Sequence, residues 1–226
     1  MIEKTVVISG SGEDKRAHIN GLYFDRVENA VRLVSTDGSR LATAEHKTDM
    51  EPAPGIIVPK KGMSDVAKFL DNGIVNIGFT DNHVVVRKES ETIIIRLLNG
   101  DFPKYGDIIA RDGGNIIKTD RQVFLVMLKR MSVMYSDSYK GVMFNFDGNK
   151  LTVTATNPDI GEAKEDISIA SGLTDTMAFN PKFFIETLNQ IDDDIVILNI
   201  IDGKNPCLIK GENDSSYISV IMPMAL

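Results

Sequence analysis

Three histidines, one cysteine and a run of three aspartates are the side chains from which this sequence could build a reactive centre. His18, His46 and His83 show no ligand-like spacing, and a lone thiolate at Cys207 cannot make a zinc site. Asp192-Asp193-Asp194 could hold a divalent cation. Such residues also gather at turns, and here they read as a solvated turn ahead of a strand over 195–200. Gly10-Ser11-Gly12 is followed by no Gly-Lys-Ser/Thr, so it is not a phosphate loop. No Gly-x-Ser-x-Gly elbow presents a nucleophile. The chemistry that remains is binding, without catalysis, metal or cofactor.

Two features could bind a partner. The first is apolar: Val220, Met222, Pro223 and Met224 near the end, with Phe102-Pro103 and Ile108. Termini are usually polar and frayed, so an apolar tail must pack back on the body or line a groove. Methionine adapts to varied apolar ligands; the plainer alternative is that these residues close a core. The second feature is basic: Lys15-Arg16, Lys60-Lys61, Lys118, Arg121, Lys129 and Arg130. Charged helix positions ordinarily form a solvated face. Gathered on one side, they would make a strip for sequence-independent, salt-sensitive phosphate contacts.

The elements that must position these residues belong to an ordinary globular chain of one or two domains, with 226 residues, 42% hydrophobic and 25% charged. A net charge of −7 argues against a protein that coats nucleic acid with its whole surface, but not against a local basic face. No apolar run approaches the roughly 20 residues of a membrane span. The first residues lack the features of a signal peptide. The single cysteine excludes a disulfide framework and fits a reducing cytoplasm, so a cytoplasmic location is expected.

The chain repeats itself. Gly21, Phe24, Thr36 and Glu45 recur at one offset as Gly141, Phe144, Thr156 and Glu165, and Pro59 and Pro181 each open a helical stretch. A period of domain size means tandem domains, here 1–112 and 113–226, joined at the glycine-rich stretch 110–115. Alternating β-branched runs predict strands over 74–80, 82–88, 91–98, 151–156, 195–200 and 216–222. Helical spacing predicts helices over 60–71, 181–191 and 119–135, the last with Val123, Phe124, Met127, Leu128 and Met131 on one face. Residues 1–8 read as the end of the corresponding helix in the first copy, so the chain is expected to begin inside a domain.

Several segments carry a resemblance. They include Ile19-Asn20-Gly21-Leu22-Tyr23-Phe24, Ser35-Thr36-Asp37-Gly38-Ser39-Arg40-Leu41-Ala42, Ile57-Val58-Pro59-Lys60-Lys61-Gly62, Asn99-Gly100-Asp101-Phe102-Pro103-Lys104-Tyr105, Ala155-Thr156-Asn157-Pro158 and Met222-Pro223-Met224. In these, in family order, the chain resembles the bacterial sliding clamps, the β subunits of the DNA polymerase III holoenzyme. The likeness covers the whole chain but only the later part of a family member, without the first domain and the start of the second. It implies an α+β fold of tandem DNA-clamp domains, each with curved antiparallel sheets outside and two helices inside, the first domain here truncated. The implied function is that of a non-catalytic processivity factor for DNA replication. It would tether polymerase, clamp loader and repair proteins to duplex DNA, as a homodimeric ring in the full-length protein and with no membrane partner.

By the same resemblance, short apolar partner motifs would bind between the two domains at Ile19, Thr36, Gly38, Arg40, Leu41, Pro103, Ile108, Asn180, Phe183, Pro206, Val220, Met222, Pro223 and Met224. DNA would meet Lys15, Arg16, Lys60, Lys61 and Arg121, and Val133 and Met134 would lie at the subunit interface. Ser39, Phe183 and Ala225 stand where the family commonly has His, Tyr and Arg, which bears on rim hydrogen bonds and not on the apolar pocket. Ala17 and His18 stand where well-known members are aromatic. The alternative from another class is a stand-alone β-rich scaffold that binds peptides but not DNA.

Overall fold

The computed structural model describes residues 1–8, 14–27, 29–49, 53–70, 73–110, 113–136 and 140–225. Gly10-Ser11-Gly12, Arg111-Asp112 of the expected joint and the Asp137-Ser138 turn therefore lie outside the described residues. The chain divides into two compact units, Met1–Tyr105 and Gly106–Leu226.

The first unit holds α1 (Ile2–Val6), a single-turn α2 (Ala17–Asn20), β1 (Gly21–Val27), β2 (Ala30–Thr36), β3 (Arg40–Lys47), β4 (Ala53–Pro59), α3 (Lys60–Phe69), β5 (Asn76–Phe79), β6 (His83–Lys88) and β7 (Glu91–Arg96). Antiparallel pairing orders them β4-β1-β2-β3 and β5-β6-β7. Alternation puts Leu22, Phe24, Leu33, Val58, Val84 and Val86 on the buried side, with Met63 and Val66 of α3 against them. Ile2 and Val6 join this core from α1, which fits the expectation that residues 1–8 form part of a helix. Thr5 is fully buried, and its carbonyl accepts a 2.6 Å bond from the Ser35 hydroxyl.

The end of this unit is latched to β1 and β2. Phe102 stacks on Tyr23 with centroids 4.7 Å apart. The Tyr105 hydroxyl donates to Asp25 and accepts from Arg32 at 3.3 Å, while Arg32 also grips Glu45 at 2.6 Å. Burial, and the hydrogen bond to Asp25, push the Tyr105 phenol up to about 12.

The second unit holds α4 (Gly106–Ile109), β8 (Asn115–Asp120), α5 (Arg121–Met131) followed by a 3₁₀ turn at Ser132–Met134, β9 (Val142–Asp147), β10 (Lys150–Asn157), β11 (Gly161–Ser168), β12 (Thr174–Phe179), α6 (Pro181–Leu188), β13 (Ile195–Ile200), β14 (Cys207–Gly211) and β15 (Tyr217–Ile221). Its sheets run β11-β10-β9-β12 and β15-β14-β13-β8, all antiparallel. The helix expected over 119–135 is shorter at both ends. Thr119 and Asp120 finish β8, and the Asp120 carboxylate caps the helix by accepting from the Val123 amide at 2.8 Å. α5 buries Phe124, Leu125, Met127, Leu128 and Met131. Val123, placed on that face by spacing, is 51% exposed, and Leu125 on the other side of the first turn is buried instead. The core is aromatic: the Phe144 ring lies 5.2 Å from both Phe179 and Phe184 and 6.0 Å from Phe124.

Antiparallel sheets with helices packed on them make the fold α+β, and the two units repeat one plan. Phe24 pairs with Leu33 as Phe144 pairs with Val153. At the next strand the register slips by one. Glu45 lies opposite Arg32, whereas its sequence counterpart Glu165 lies opposite Val153. A slip of one residue turns a side chain to the other face of the sheet. Glu45 consequently joins the Arg32–Tyr105–Asp25 network, and Glu165 reaches Arg130 on α5 instead.

Candidate functional site

In the first unit the expected peptide-binding residues collect on the β2–β3 turn and α2. Thr36 Oγ1 donates to the Arg40 carbonyl at 2.7 Å and accepts from the Gly38 amide at 3.1 Å. Asp37 accepts from the Ser39 and Arg40 amides at 3.0 and 3.1 Å, and its second oxygen takes the Arg40 guanidinium at 2.9 Å. Gly38 bends the turn at φ +91°, a conformation that disfavours a side chain. Thr36, Arg40 and Leu41 are buried, as is Ile19 of α2, while Gly38, Ser39 and Pro103 are exposed. The ion pair between half-buried Asp37 and buried Arg40 makes this turn stiff, and Asp37 three residues before Arg40 is its signal in the sequence.

In the second unit the tail does not fray. Beyond β15 the Met224 amide donates to the Ala178 carbonyl at 2.8 Å, a bridge to β12. Met224 Sδ sits 3.2 Å from where a Cβ on Gly141 would be, so a side chain at 141 would push the thioether back by a few tenths of an ångström. Asn180 caps α6, accepting from the Lys182 amide at 3.0 Å, and Phe183 is half-buried beside it. Val220 and Pro206 are buried, which gives Val220 the core role weighed above. Met222 is 41% exposed and Ile108 38%, with Pro223 and Met224 half-buried.

The expected DNA contacts separate into two groups. Lys15, Arg16 and Lys61 are exposed. Arg16 is clasped by Asp14 at 2.6 Å, and that pairing holds the Asp14 carboxyl down at about 2. Lys60 is half-buried and donates to the Ile19 carbonyl at 2.6 Å. Arg121 donates to the backbone carbonyls of Asp193 at 2.9 Å and Leu188 at 3.4 Å. Lys60 and Arg121, both expected DNA contacts, are thus engaged with carbonyls of their own unit. Lys118 pairs with Glu212 at 2.8 Å.

Val133 is 73% exposed on the turn after α5, and Met134 is half-buried with its carbonyl accepting from Asn157 at 3.0 Å. Asp193 receives the Asn213 and Asp214 amides at 2.7 and 3.0 Å, so the aspartate run is a hydrogen-bonded turn. Among the described residues no cluster of His, Cys, Asp or Glu could hold a metal ion, and no helix is long and apolar enough to cross a membrane. Cys207 is buried, which pushes its thiol up.

Family models match both units: that of the DNA polymerase III beta subunit central domain over residues 1–104, and that of its C-terminal domain over 107–225. The beta sliding clamp of Pseudomonas putida is 30% identical over all of this chain and 63% of its own length. That of Chlamydia pneumoniae is also 30% identical, over 96% of this chain and 60% of its own. The crystal structure of the DNA polymerase III subunit beta from Pseudomonas aeruginosa superposes with a TM-score of 0.94 at 26% identity, over 100% of this chain and 63% of that one. A Pseudomonas aeruginosa clamp bound to griselimycin gives 0.92 at 25%, with the same coverage. The chain therefore spans 63% of the Pseudomonas putida relative's length. It belongs to the non-catalytic family of DNA polymerase III beta subunits, the bacterial sliding clamps, of which it comprises the central and C-terminal domains.

Proposed function

We propose that this chain is the partner-binding portion of a replication processivity clamp, which tethers polymerase and other DNA-metabolism proteins to duplex DNA in the cytoplasm. The observation that carries this reading is the tail. Met222 is left exposed while the Met224–Ala178 bridge holds the backbone beyond it in place. A pre-ordered apolar ligand surface loses less entropy on binding than a frayed one. Ile19, Thr36, Gly38, Arg40, Leu41 and Pro103 would serve the same short apolar motif, with Ile108, Asn180, Phe183, Pro206, Val220, Met222, Pro223 and Met224. The griselimycin complex of a Pseudomonas aeruginosa clamp supports ligand binding by this fold. Fluorescence polarisation with a labelled peptide rich in Gln, Leu and Phe tests the proposal. Saturable binding is expected, and a titration that never saturates would overturn it.

Ring formation around DNA is proposed for the full-length homodimer, with Val133 and Met134 at the subunit contact. The 226-residue chain by itself is expected to touch duplex DNA weakly through Lys15, Arg16 and Lys61. With about three phosphates neutralised, log K should fall against log salt with a slope near −2.7. Replacing all three by alanine should flatten it. Salt-insensitive or sequence-specific binding would contradict this. No measurable binding at low salt would favour the DNA-free peptide scaffold, a reading to which the engagement of Lys60 and Arg121 lends support.

A further inference from the structure

Lys60 is the first residue of α3, directly after Pro59. Its ammonium meets the Ile19 carbonyl in α2, and the charges that act on it are Asp37 and Arg40 of the β2–β3 turn. Two segments remote in sequence, α2 and the start of α3, are therefore joined at one amine. A phosphate could reach this nitrogen only in competition with the buried Ile19 backbone.

The position is unfavourable for a cation. The start of a helix carries partial positive charge. Burial, with Arg40 adding to it against the pull of Asp37, brings the ammonium down to about 8. The unfolded chain holds this proton up to 10.5, so the cost to folding is fully present below pH 8 and is relieved as pH rises from about 8 to 10.5. A charge kept where it costs stability, on a 2.6 Å bond between two segments, marks a group with a task there.

We propose that Lys60 is the positioning residue of the first unit's peptide wall, tying the Ile19 carbonyl of α2 to the start of α3 and so setting where the buried Ile19 stands. This rests on the peptide-binding reading above and removes Lys60 from the phosphate contacts. The test uses the whole chain with Lys60→Met and Lys60→Arg, measuring peptide affinity, the salt slope on duplex DNA and amide exchange over residues 17–20. Loss of a charge-assisted hydrogen bond predicts that Lys60→Met weakens the peptide about tenfold and speeds exchange at those amides about tenfold, with Lys60→Arg intermediate. The DNA slope stays unchanged. Unaltered exchange in Lys60→Met would overturn the proposal, as would a slope reduced by about one unit, the mark of a phosphate contact. Should the unmodified chain bind no peptide, the peptide-binding reading falls, while the exchange data still decide whether Lys60 holds these segments in place.

Discussion

A chain ending at Ile221 is expected to bind clamp-motif peptides about a hundredfold more weakly than the 226-residue chain. Truncation removes Met222 and Met224, and burying each thioether against an apolar ligand is worth about 1.5 kcal/mol, about 3 kcal/mol together. That sum is a factor of about 100 in the dissociation constant. Ile221 and Val220 are buried and stay in place, so β15 retains its core contacts. Met222→Ala separates ligand contact from anchoring, because it leaves the Met224–Ala178 bridge intact. It should cost about tenfold, the share of one side chain. Equal affinities for the truncated and complete chains would exclude the tail from the binding surface.

The largest stability effect is expected at Phe144. Its side chain is fully buried and its ring meets those of Phe124, Phe146, Phe179 and Phe184. Phe144→Ala removes one ring from the middle of this cluster, at a cost of about 3–5 kcal/mol in lost transfer energy and an uncollapsed cavity. Set against a typical domain stability of about 5–15 kcal/mol, the second unit would be close to unfolding. Two units need not unfold together, so a single global transition is the wrong observable. Amide exchange along β9 and β10 under urea reads the second unit directly. Its repeat counterpart Phe24, ring-paired with Phe79 alone among the described residues, should be the milder site. A loss below about 1 kcal/mol at Phe144 would show that the cluster repacks.

The repeat and the six strands given spans from the sequence are legible because alternation and turn residues are local signals. The β-branched run 195–200 and β13 coincide. α5 starts later than its spacing predicts because Thr119 can end a strand as readily as open a helix; Asp120, an N-cap residue, is the local signal of its start. At the candidate site, the apolar tail and the β2–β3 turn were readable as motifs. The fate of the cations was not. Lys60 and Lys61 look alike in sequence, but only Lys60 meets a carbonyl 41 residues away. Arg121 likewise bonds to a carbonyl 72 residues distant. Charge is written locally, whereas its partner is supplied by tertiary packing.

The register slip between β10 and β11 bears on any chimera assembled from the two repeats. A splice that trusts sequence spacing would seat the β3 segment, Arg40–Lys47, on β10 with inward and outward residues exchanged along its length. Glu45 would then face helix α5 and Ala44 would face solvent. The transferable module is consequently the whole hairpin, Ala30–Lys47 for Lys150–Ser168, with its turn included. Within that module the carboxylate partner must change too: a guanidinium on the neighbouring strand in one case, on the helix in the other.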